Sequence, residues 1–213
     1  MKNEISNILN LIENGNTYKA LQEAKSFYNT NENNLDAIKL LAYSYIQVGN
    51  FERVIEILGV GYDEKNHLRD FDYYNNMGYA LSQIEEYRES ISYLNKASEL
   101  NDNPSVKICL AEVYLKKREF DKAKEMILIA LDAIKKMGEE SFSKFANVFL
   151  LISEINSALK KDSETIEMFS DFLQKRFNEN IFFLLSNIDP ELIDKKIIDK
   201  AESFLITNEN NYK

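Results

Sequence analysis

The stretch "NMGYALSQIEEYRESISYLNKASELNDNP", Asn76 to Pro104, decides the fold. It reads as helix, turn, helix, with Gly78 inside the first helix. A glycine there costs about 1 kcal/mol relative to alanine. Its presence predicts that another backbone comes too close for a side chain to fit.

Small residues recur at comparable places along the chain: Ala42, Gly78 and Ala111, spaced by 36 and 33 residues. Three residues after each stand Tyr45, Leu81 and Tyr114; nine after stand Phe51, Tyr87 and Phe120. Val54, Ser90 and Ala123 follow at twelve, and Leu58, Leu94 and Ile127 at sixteen. Gly61, Ala97 and Ala130 close the series at nineteen. An N-terminal segment joins with a gap of 34: Leu11 matches Tyr45, Gly15 matches Gly49 and Ala20 matches Val54. Ile8 fills its small-residue column, a departure that a terminal repeat with one unstacked face tolerates.

These columns resemble the tetratricopeptide repeat (TPR), a helix–turn–helix unit of 34 residues. The segment Phe71 to Asn103 matches best, through Tyr74, Met77, Gly78, Leu81, Ser90, Leu94 and Ala97. The resemblance implies an all-α, right-handed superhelical solenoid, with first helices on a concave wall and second helices outside. One helix pair cannot bury its apolar stripe, so each leans on the next.

We expect a single solenoid over residues 1–206. Its repeats fall at about 1–34, 35–70, 71–103 and 104–136, followed by a divergent pair over 142–178. A C-terminal helical cap over 179–206 is expected to start at Pro190 behind Asp189, and 207–213 to fray. Pro104 marks a helix start in the same way.

The 213 residues include only 6 Gly and 2 Pro, which fits long helices joined by short turns. The net charge of −9 argues against nucleic acid as a partner and favours a basic protein or peptide. The single cysteine, Cys109, excludes an internal disulfide. No apolar run reaches the roughly 20 residues of a membrane helix, and the N-terminus has no signal-type apolar core. The expected setting is cytoplasmic, without membrane insertion.

Little catalytic or ligand-binding chemistry is legible. His67, the only histidine, lies among Asp63, Glu64, Asp70 and Asp72, but one loop histidine makes no catalytic arrangement. The bland reading is an acidic, solvated inter-repeat loop. No zinc-type cluster and no glycine-rich phosphate loop stands in the sequence, so no metal, cofactor or catalytic residue is assigned. Cys109 reads as a small apolar packing residue. Lys116–Lys117–Arg118, Lys135–Lys136 and Lys160–Lys161 fall near helix C-termini, where cations complement the helix dipole.

The TPR resemblance implies a groove on the first-helix wall. Tyr43 and Tyr79, with Glu112 as the next equivalent, fall in its facing column. Lys39, Asn75 and Ile108 stand one turn earlier. Ile46, Ser82 and Leu115 stand one turn later, beside Gln47, Gln83 and Lys116. Aromatic, aliphatic and amide groups together suit peptide binding. The alternative is that Tyr43 and Tyr79 pack against neighbouring helices. A carboxylate clamp known in one TPR subtype is not expected: Lys39 and Asn76 match it, but Tyr43, Ser105 and Cys109 do not.

The expected function is non-catalytic binding of a protein or peptide segment, as adaptor, chaperone or inhibitor. A peptide-sensing receptor is the alternative, and an enzyme using the His67 loop a remote one. The apolar end near Phe177 to Phe183 is a candidate homodimer surface.

Overall fold

The computed structural model describes residues 2–32, 34–61, 70–137 and 147–160. The His67 loop, the partner helix of the divergent pair, the C-terminal cap and tail, and Phe177 to Phe183 lie outside them. Among the described residues there are nine α-helices and no strand. They are α1 (Lys2–Glu13), α2 (Thr17–Thr30), α3 (Leu35–Gln47), α4 (Phe51–Gly61) and α5 (Phe71–Gln83), then α6 (Tyr87–Leu100), α7 (Pro104–Lys116), α8 (Phe120–Met137) and α9 (Asn147–Ala158). The chain divides into two compact units, Met1–Val113 and Tyr114–Lys213.

In the first unit each helix from α1 to α6 packs against the next, and α3 also touches both α1 and α5. That is the stacking of helix pairs, with first helices side by side. The repeat columns form the core: Ala42, Val54, Leu58 and Leu94 are wholly buried, and Ile8 is 1% exposed. Ile8 is therefore housed inside the core and not released at an open face. Each of the fully buried Val, Leu and Ile side chains contributes about 1.5–3 kcal/mol, and Ala42 less.

Gly78 answers the question its position raises. A Cβ placed there would stand 2.7 Å from Leu94 Cγ and 3.1 Å from the Leu94 backbone nitrogen. The buried Ser90 hydroxyl also donates to the Gly78 carbonyl at 2.7 Å. The α5 and α6 backbones thus meet at a point where glycine leaves room and serine ties them together. Tyr73 and Tyr74 of α5 and Tyr93 of α6 add a ring cluster, with centroids 5.2–6.1 Å apart.

The first helices of the pairs end alike, whereas α2 and α6 end at Asn31 and Asn101 with negative φ. Asn16 N–H donates to Leu11 C=O while Gly15 N–H donates to Ile12 C=O, with Gly15 at φ +73°. This is a Schellman ending, which satisfies the last carbonyls of the helix. The same pair of bonds recurs around Gly49 and around Glu85, whose φ is +66°. The starts of α3, α5 and α7 are capped by side chains, while those of α2 and α6 are not. Asn34 accepts from the Asp36 and Ala37 amides, Asp70 from Tyr73, and Asn103 from Ser105. Such side-chain caps contribute about 1 kcal/mol each.

In the second unit α8 packs against α9. Ile127, Leu131 and Ile134 are buried on α8, and Val148, Leu151, Ile152 and Ile155 on α9. Arg118, at φ +61°, closes α7 with the same two bonds, and Lys160 follows α9 at φ +58° with its N–H on Ser157 C=O. Lys160 therefore holds the turn position that Gly15 and Gly49 hold earlier in the chain.

Candidate partner-binding groove

The first helices of the first unit share a grooved face. Two clefts lie on it and meet at Tyr43, Asn75 and Asn76. The wider, of about 520 Å³, takes Ile5 and Leu9 from α1; Asp36, Lys39 and Leu40 from α3; and Asp72 from α5. The narrower, of about 210 Å³, takes Ile46 from α3; Tyr79 from α5; and Ser105, Ile108, Cys109 and Glu112 from α7. Helical spacing explains the membership. Asp36, Lys39, Tyr43 and Ile46 recur every three or four residues, as do Asp72, Asn75, Asn76 and Tyr79, so each set shares one face.

The two tyrosines differ. Tyr43 is 38% exposed and lines both clefts. Tyr79 lines the narrower cleft while its ring meets Phe51 of α4 edge to face, centroids 5.9 Å apart at 79°. Partial burial, then the proximity of Cys109 and Glu112, raises the Tyr79 hydroxyl pKa. Facing the groove and packing on a neighbour are thus combined in Tyr79.

Lys39 is the second departure from a simple groove residue. It bridges to Asp70, the N-cap of α5, and to Asp72 at 3.2 Å. Partial burial alone pulls its pKa down, but the hydrogen bonds and charges of Asp70 and Asp72 outweigh that and hold it raised. Its charge is already engaged within the protein. Cys109 is buried, and burial first, with Glu112 second, pushes its thiol up to about 12 against the opposing effect of a hydrogen bond with Ser82. A thiol so protonated is a packing group and not a nucleophile.

Of the residues expected from sequence, Tyr43, Ile46, Asn75, Tyr79, Ile108 and Glu112 come together in the narrower cleft. Lys39 joins Tyr43 and Asn75 in the wider one. Gln47, Ser82 and Gln83 line neither of these clefts; Ser82 donates to Tyr79 C=O at 2.6 Å and accepts from Gln83. Leu115 and Lys116 belong to the second unit. Sequence reasoning missed Ile5, Leu9, Asp36, Leu40 and Asp72 as groove residues. A signal was available: Ile5 and Leu9 stand 34 residues before Lys39 and Tyr43, the same shift that relates Gly15 to Gly49.

Among the described residues no group of three or more His, Cys, Asp or Glu is placed to hold a metal ion. No helix among them is long and apolar enough to cross a membrane.

Comparison with known proteins places this geometry. No curated protein matches the sequence at a significant level. Several solved structures match the fold. MamA (residues 41 to end) from Desulfovibrio magneticus RS-1 has a TM-score of 0.60 at 14% identity, covering 80% of this chain and 91% of that one. TTC0263, a thermophilic TPR protein of Thermus thermophilus, has 0.56 at 20%, covering 67% and 78%. The APC/C hetero-tetramer Cut9–Hcn1 has 0.69 at 14%, covering 97% of this chain and 36% of that one. Such identities establish the fold alone: an all-α TPR-type solenoid. The family described as tetratricopeptide repeat protein 21 fourth ARM domain matches residues 74–182, just over half of the 213. The chain belongs to that family and is a TPR-type repeat protein.

Proposed function

We propose that this protein is a non-catalytic interaction module that holds a segment of a partner protein in the groove of its first helices. The observation that carries the reading is the pair of joined clefts with Tyr43 at their meeting point, more than a third exposed. A large, rigid aromatic ring set beside amides and aliphatic side chains is the composition of a binding hot spot. The TPR-type fold adds to this by analogy, since it presents an extended surface of this kind. Cut9–Hcn1 is an assembly built on a related fold. The role is that of adaptor, chaperone or inhibitor, and the net charge of −9 favours a basic partner.

The test is affinity capture from native extract, comparing the wild type with Tyr43→Ala and with Tyr43→Ala/Tyr79→Ala. Circular dichroism checks that both variants fold, since Tyr79 also packs on Phe51. Loss of the same partner from both variants is the expected result. Equal recovery of every captured protein by all three would defeat the groove assignment.

A further inference from the structure

We infer that the groove selects a segment carrying a lysine or arginine about three residues from a large apolar side chain. The inference rests on the groove reading above and deepens it. Its basis is the layering of side chains on α3 and α5, which run in register. Asp36 and Asp72 form an acidic layer at the helix N-terminal ends, and Tyr43 and Tyr79 an aromatic layer seven residues on. Seven helical residues rise about 10 Å. A polyproline-II-like peptide returns to the same side every third residue, after about 9 Å. A cation and an apolar residue at that spacing can reach both layers at once.

Charge decides which ion the acidic layer takes. Lys39 is the only cation among the described residues that line the wider cleft, and it is already held by Asp70 and Asp72. Of the residues that line the cleft, two carboxylates, Asp36 and Asp72, therefore stand against one ammonium, which Asp70 from outside the lining also holds. The excess is negative and lies beside the apolar Leu9, Leu40 and Tyr43. An acidic segment meets repulsion there. A lysine or arginine can lay its aliphatic stem on Leu9 and Tyr43 while its head reaches the carboxylates. The apolar residue then seats near Ile46, Tyr79 and Ile108 in the narrower cleft.

A phage-displayed random peptide library panned on the full chain tests this, with the best peptide resynthesised and titrated by fluorescence anisotropy. The expected selection enriches Lys or Arg three residues from Phe, Leu, Ile or Tyr. The best peptide should lose about three- to ten-fold in affinity on the Asp36→Asn/Asp72→Asn variant, the size of two exposed ion pairs. Asp36→Asn alone should give a smaller loss, and it leaves the Lys39 bridges intact. Peptides that require Tyr43 but show no basic enrichment, or bind the double variant unchanged, would overturn the charge selection and leave the groove standing. Peptides indifferent to Tyr43→Ala would remove the groove and the inference together. A library with no enrichment would count against both.

Discussion

Gly78→Ala probes the close approach of α5 and α6. The new Cβ would lie 2.7 Å and 2.9 Å from two carbons of Leu94 and 3.1 Å from its backbone nitrogen. Carbon pairs settle at about 3.5–4.0 Å, so the overlap is close to 1 Å. Leu94 is wholly buried and can yield only by pushing its neighbours, while the nitrogen can move only with α6. Overpacking of this sort costs about 1–3 kcal/mol. Alanine recovers about 1 kcal/mol of helix propensity. The net expectation is a destabilisation of up to about 2 kcal/mol, read as a lower urea midpoint by far-UV circular dichroism. Gly59→Ala is the control, because a Cβ there meets nothing within 4 Å and only the propensity gain of up to about 1 kcal/mol remains. A double-mutant cycle sharpens the test. In a Leu94→Ala background the clash with the side chain is gone, so Gly78→Ala should become neutral or stabilising. If Gly78→Ala stabilises the unmodified protein as Gly59→Ala does, the close-approach reasoning is wrong.

The turns and the Lys39 bridge give two further expectations. Glu85 and Arg118 sit at positive φ, which costs an L-residue about 1–2 kcal/mol, so Glu85→Gly and Arg118→Gly should each stabilise by about 0.5–1 kcal/mol after the entropy penalty of glycine. Gly49→Ala should destabilise by a similar amount, and the same denaturation midpoints check all three. The Lys39 pKa is raised by folding, so its stabilising contribution is complete below its ordinary value of 10.5 and is lost as pH rises through the higher folded value. The wild type should therefore lose more stability than Lys39→Met across that alkaline window, measured as midpoint against pH; parallel curves would refute the bridge.

The fold was legible because a repeat writes its packing several times over. Ala42, Gly78 and Ala111 occupy one column and all three are buried, and at Gly78 the reason is the approach of Leu94 on α6. The groove was legible only in part. Tyr43, Asn75, Tyr79 and Ile108 follow from register along first helices, and Leu9 and Ile5 follow from it too once the N-terminal repeat is read in full. The turn after α9 shows where register fails as a signal. Lys160 carries the left-handed conformation without glycine, because hydrogen bonds to the preceding helix hold a backbone that composition does not advertise.

The order of residues alone sets the helix pairs, their turns and the face that each first helix turns to its neighbour, since helical period and small-residue columns are local, repeated constraints. The state of each groove side chain is a different matter. Whether Lys39 offers its charge to a ligand depends on Asp70 and Asp72, 31 and 33 residues away, arriving within bonding reach when α3 stacks on α5. Whether Tyr79 is exposed depends on Phe51 at the start of α4 meeting its ring. Both are competitions between water and a neighbour brought close by packing, and a pattern of residue types carries no term for their outcome.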